Sequence, residues 1–84
     1  VWGIGMALRE ALAIDGGAIT PENFFDYAVP VLSDVPDIDI RLVEGSAAPT
    51  GAGETAIVCA TAAITNAVAA ITGETVMRLP VSVA

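Results

Sequence analysis

The chain has 84 residues and a net charge of −7, with ten acids, three arginines, no lysine and no histidine. Without clustered cations it excludes a nucleic-acid partner, and without histidine it lacks the commonest base and metal ligand near neutral pH. Hydrophobic residues make up 55% of it, but sixteen of them are alanine and only 5% of the chain is aromatic, so large core side chains are scarce.

Such a length makes one domain at most, burying about 60–65% of its unfolded surface. One cysteine excludes an internal disulfide and a thiolate metal cluster. Val1-Trp2-Gly3 opens the chain with no initiator Met and no capping residue, and it reads as a piece of a longer polypeptide that covers part of its apolar surface. No positive segment followed by an apolar core marks a leader, and both cytoplasm and periplasm stay open as compartments.

In chain order, Val1, Ile4, Leu8, Ala11 and Leu12 share one side at helical spacing, with Arg9 and Glu10 as the polar exit. This predicts a helix over about 1–10. Asp15-Gly16-Gly17 between short apolar runs predicts a hairpin, because its turn needs positive φ. Phe24, Phe25, Tyr27 and Val29 supply most of the aromatic mass and are assigned to the core. Pro30 and Pro36 bracket a loop with Ser33 and Asp34 as turn formers. From Asp37 to Val43 the residues alternate, with Ile38, Ile40 and Leu42 on one side and Asp37, Asp39 and Arg41 on the other. That is the pattern of a further antiparallel strand, half buried. Asp34, Asp37 and Asp39 lack the loop glycine and terminal Glu of an EF-hand and read as surface charge.

The stretch from Pro49 to Gly73 organises the rest. Ile57, Ile64, Val68 and Ile71 form one apolar stripe at 100° per residue, beside a stripe of Ala56, Ala60, Ala63, Ala67 and Ala70. A helix over about 55–72 follows, closed by Gly73 in the left-handed conformation. Cys59 reads as a small buried hydrophobe. The stretch is long enough to span a membrane, but it is rich in Ala and Thr, is interrupted by Asn66 and has no anchoring Lys, Arg, Trp or Tyr at either end. A helix buried inside a larger protein fits it better, and no membrane span is expected.

Gly51-Ala52-Gly53 opens this helix, and Glu54 stands at its start. The P-loop pattern requires a lysine the chain does not have, and the dinucleotide pattern requires a third glycine where Thr55-Ala56 stands. A backbone able to approach a bulky ligand remains, next to one carboxylate. The dipole favours the ionised form of that carboxylate and burial opposes it, which suits a general base. On the residues alone, Glu54 reads first as an ordinary acid at a helix start, stabilising it by about 0.3–1 kcal/mol.

The run Asn23-Phe24, Asp26-Tyr27, Val29, then Asp34, Pro36, Ile38-Asp39-Ile40, Leu42-Val43, then Gly51, Gly53-Glu54, Asn66-Ala67-Val68, Gly73 and Arg78-Leu79-Pro80 resembles a known family. It is similar to the C-terminal part of the molybdopterin-binding (large) subunit of the xanthine dehydrogenase and aldehyde oxidase family, in the branch like the isoquinoline 1-oxidoreductase beta subunit. The resemblance runs through nearly the whole chain, and Gly-x-Gly-Glu leading into the Ala-rich helix is its most specific part. It implies that Glu54 is the general base of a molybdenum hydroxylase that oxidises an N-heterocycle or an aldehyde with oxygen from water. It further implies that Gly51, Ala52 and Gly53 lie against a molybdenum–molybdopterin cofactor in its cytosine dinucleotide form, and that none of the chain's side chains ligates the metal.

Partners implied are the remainder of the molybdenum subunit and a subunit or domain carrying iron–sulfur centres. Many relatives place prolines after the Gly-Glu pair, where Thr55-Ala56-Ile57-Val58 stands here, so an earlier helix start is expected. The family's other cofactor loops are absent, so the chain by itself is expected to be inactive. The expected fold is α+β: an N-terminal helix, a β-hairpin plus one further antiparallel strand, and a long helix over about 55–72, together a single incomplete domain. The competing reading is a non-catalytic acidic interaction or assembly module on the same scaffold.

Overall fold

The computed structural model describes residues 1–81. Its elements are helix α1 (Trp2–Leu8), strands β1 (Ile14–Asp15) and β2 (Ala18–Ile19), a 3-10 turn (Leu32–Asp34) and helix α2 (Thr55–Thr72). Helices and an antiparallel pair together make the α+β class, and α2 has the expected bounds.

The hairpin pairs Ile14 with Ile19 and Asp15 with Ala18. Its two-residue turn is therefore Gly16-Gly17, with φ of 55° and 84°. Positive φ at both central positions gives the turn a twist that matches the strands, and glycine adopts it without a Cβ clash. Asp15 is thus the last strand residue rather than a turn residue, one position from where the Asp-Gly pattern suggests.

Helix α1 is shorter than the expected 1–10, and its contact face differs too. Gly3, Gly5 and Ala7 are buried, whereas Leu8 is exposed. The reason lies in α2, whose least exposed residues are Ile57, Ala60, Thr61, Ile64, Thr65, Val68 and Ala69. An ideal Cβ on Gly3 would lie 2.8 Å from Ala60 Cβ and 2.8 Å from the Ile57 carbonyl oxygen. Glycine on one helix and alanine on the other let the two backbones meet more closely than larger side chains allow. The Thr61 hydroxyl joins them, its single proton facing the carbonyls of Ile57 at 2.9 Å and Gly3 at 3.2 Å. Ile71, expected in the buried stripe, is 86% exposed. Ile71 shares that side but lies in the last turn of the 18-residue α2, beyond the reach of the seven-residue α1, whose close approach is at Ile57 and Ala60. Cys59, expected to be buried, is on the opposite side of the helix and is exposed.

The C-terminus of α2 closes on Gly73 at φ 76°, whose N–H donates to the Ala69 carbonyl at 2.8 Å. The left-handed cap satisfies a carbonyl that the helix leaves open. After it the chain returns to α1, where the Val81 N–H donates to the Ala7 carbonyl at 2.7 Å.

Two further expectations fail in this fold. Asp37–Val43 forms no strand, because among the described residues no segment pairs with it. Phe24 and Phe25 are 95% and 100% exposed rather than in the core, because the turn that Asn23 forms through its Oδ1 and the Phe25 N–H (2.8 Å) projects them outward. Ala7 is the one fully buried hydrophobic residue among those described. The radius of gyration is 16.1 Å, against about 12 Å for a compact domain of this length. By length and composition α2, with mean hydropathy 1.7, is also apolar enough to cross a membrane.

Candidate functional site

From Gly45 to Gly53 the chain is exposed and without regular structure. It turns into α2 at Glu54, the N-cap residue, with φ −116° and ψ −14°. The Glu54 carbonyl accepts the Ile57 N–H at 3.0 Å, and α2 begins at Thr55. Its carboxylate makes no capping hydrogen bond and is exposed.

Gly51, Ala52 and Gly53 precede it, all exposed. Neither Gly51 nor Gly53 has positive φ, and a Cβ on either would meet nothing within 4 Å. The structure therefore places the four predicted site residues side by side on one open loop and helix start. It does not enclose them.

A groove of about 590 Å³ lies close by along the chain. Its walls include Trp2, Met6 and Glu10 of the N-terminal segment, Tyr27, Leu79, and Ile57 from the first turn of α2. Glu54 is not among them, although it precedes Ile57 by three residues. Two polar pairs tie the end of the N-terminal segment to residues 27–34. The Tyr27 hydroxyl donates to Glu10 Oε2 at 3.1 Å. Partial desolvation, then the hydrogen bond to Glu10 and its negative charge, raise the Tyr27 phenol above its ordinary value. Arg9 meets Asp34 at 3.1 Å, and Asp34 Oδ2 also accepts the Val31 N–H at 2.9 Å, closing the 3-10 turn. Asp34 is thus a structural anchor rather than free surface charge.

Both pairs escape sequence reasoning. Their partners are far apart in the chain and carry no periodic signal, and only Arg9 and Glu10 at a helix exit hint at a polar junction. Among the described residues no three His, Cys, Asp or Glu side chains gather in a cluster able to hold a metal ion.

No family model matches the chain, and no solved structure does. Relatives do. Isoquinoline 1-oxidoreductase subunit beta of Brevundimonas diminuta is 38% identical over 80 residues, which is 95% of this chain and 10% of that protein. Nicotine 6-hydroxylase large subunit of Paenarthrobacter nicotinovorans is 39% identical over 74 residues, 81% of this chain and 9% of that protein. Xanthine dehydrogenase molybdenum-binding subunit of Escherichia coli O157:H7 is 34% identical over 87 aligned positions, 95% of this chain and 12% of that protein. The chain spans about a tenth of the length of the curated relatives it matches. Through most of its own length, it is related to the molybdenum-binding subunits of the xanthine dehydrogenase and aldehyde oxidase family.

Proposed function

We propose that this chain is the C-terminal segment of a cofactor-binding domain in a molybdenum hydroxylase, and that Glu54 is its catalytic contribution. The observation that carries the reading is the match to three large or molybdenum-binding subunits over 81–95% of the chain.

The residues present fit one wall of such a site. Nothing among the described residues requires glycine at Gly51 or Gly53, since both have ordinary φ and open space around the missing Cβ. A group from outside the chain would therefore meet bare backbone here, with no side chain to displace. Gly51, Ala52 and Gly53 would lie against a molybdenum–molybdopterin cofactor of the cytosine dinucleotide form, and electrons would leave through iron–sulfur centres on a partner. When bound, that cofactor supplies the two-electron oxidation.

The chain's own part is a proton transfer. The Glu54 carboxylate, free of any capping bond, takes a proton from the water-derived oxygen nucleophile as it adds to an electron-poor carbon of an N-heterocycle or aldehyde. Enclosure by the rest of the subunit would bring the carboxylate against the reacting oxygen, and the start of α2 fixes its position.

Helix α2 belongs to the same reading. Only one side of it is covered by α1, and an all-round apolar helix needs a protein or a lipid environment. Protein fits better: Asn66 lies on the exposed side, where lipid would penalise it, and no Lys, Arg, Trp or Tyr anchors its ends.

The test is Glu54→Gln in the complete subunit, which keeps the shape and removes the base. Turnover is expected to fall about 10²–10⁴-fold with molybdenum content unchanged. Unaltered turnover would assign the segment to a non-catalytic assembly role.

A further inference from the structure

Asp37–Val43 has the sequence of a strand and the surroundings of none. Among the described residues, no backbone hydrogen bond outside the helices and hairpin involves it. Asp39 and Arg41, two positions apart, join at 3.2 Å on one side, which is the side-chain alternation of an extended segment. On the other side Ile38, Ile40 and Leu42 are 56%, 77% and 93% exposed. An open row of backbone donors and acceptors beside an apolar face is the template for strand addition.

We infer that residues 37–43 are an interfacial β-strand, completed by a strand from the rest of the molybdenum-subunit polypeptide. The inference rests on the reading of the chain as part of such a subunit. The relatives it matches carry roughly nine-tenths of their length outside the matched segment, so a partner strand has ample chain to come from. A second copy of this chain is the less suitable occupant. Two antiparallel copies centred on Ile40 would match Asp39 with Arg41, but each brings a net charge of −7, and that repulsion opposes their approach. With an internal partner strand, the Asp39–Arg41 pair is left on the wet face and the three aliphatic side chains go to the core.

Amide hydrogen exchange read by mass spectrometry tests this on the complete polypeptide carrying these residues, with the same polypeptide unfolded in guanidinium chloride as reference. Amides of residues 37–43 are expected to exchange at least about a hundred-fold slower when folded; less slowing overturns the inference. The 84-residue chain alone is expected to leave them unprotected at every concentration. Protection that grows with its concentration would identify a second copy as the occupant and also overturn it. Repeating the measurement in the Glu54→Gln subunit separates the two proposals, since protection of this strand does not depend on the catalytic role of Glu54.

Discussion

Replacing Gly3 by alanine sets two well-characterised effects against each other. Within a helix, Gly→Ala is favourable by at most about 1 kcal/mol, because glycine loses more backbone freedom on folding. At this position the added methyl would sit 2.8 Å from both Ala60 Cβ and the Ile57 carbonyl oxygen, and 3.1 Å from Ile57 Cα. Carbon contacts are comfortable at about 3.5–4.0 Å, so the helices must part by roughly 0.7 Å at their closest point. The obstructing atoms include backbone, which cannot rotate away. Overpacking of this kind costs about 1–3 kcal/mol, and separation also stretches the Thr61 hydroxyl's 3.2 Å contact with the Gly3 carbonyl, a bond of about 0.5–1.5 kcal/mol. The net effect is destabilisation by about 1–3 kcal/mol. In thermal unfolding followed by far-ultraviolet circular dichroism, the midpoint of Gly3→Ala is expected to drop by at least about 4 °C. Adding Ala60→Gly removes one of the two shortest contacts and is expected to recover part of the loss. A midpoint unchanged or raised by Gly3→Ala would show that helix propensity decides and that the close approach of α1 to α2 is not formed. Strict additivity of the two substitutions would lead to the same conclusion.

Two further predictions concern single residues. The Tyr27 phenol, raised in the folded chain, favours folding while it is protonated. That contribution is therefore fully present below the ordinary tyrosine range and is lost as pH rises through the folded value. Titration of phenolate absorbance is expected to give a lower pKa in Glu10→Gln than in the unaltered chain, and equal values would remove Glu10 as a cause. Gly73→Ala forces a Cβ into the left-handed cap at φ 76° and is expected to lower stability by about 1–2 kcal/mol, read from urea unfolding. No loss would mean that α2 does not end in this cap.

Helix α2 is legible in the sequence because its boundaries are chemical: a glycine loop ahead, a left-handed glycine behind, and no proline between. The hairpin is legible because two adjacent glycines admit the turn that short strands need. Helix α1 is less legible, since hydrophobic periodicity favours Val1, Ile4 and Leu8 while the packed face is Gly3 and Ala7. Periodicity weighs side-chain bulk, whereas this contact depends on its absence. Phe24, Phe25 and residues 37–43 mislead in another way. Their patterns describe burial correctly only if the burying surface lies within the same 84 residues, and among the described residues it does not. The position of Glu54 at the helix start follows from the sequence, but its chemical role rests on the resemblance, since an open carboxylate has the same local pattern whether or not it faces a reacting centre.

That ambiguity narrows when residues are sorted by where their reason lies. Gly3 has its reason inside the chain, in the contact with Ala60 and Ile57. Gly16, Gly17 and Gly73 have theirs in positive φ. Gly51 and Gly53 have neither, and the adjoining Glu54 has no capping bond. The apolar face of Ile38, Ile40 and Leu42 likewise has no cover among the described residues. An isolated loop would gain nothing from a bare glycine pair beside an uncapped acid, because glycine raises the entropy lost on ordering and the acid forgoes a cap of about 1 kcal/mol. A segment packed into a larger subunit recovers both through contacts made across its surface. Gly51→Ala and Gly53→Ala are therefore expected to leave the urea-unfolding midpoint of the 84-residue chain unchanged, since neither position needs positive φ or meets an atom within 4 Å, and to lower the molybdenum content of the complete subunit if the proposed contact of this loop with the cofactor is formed.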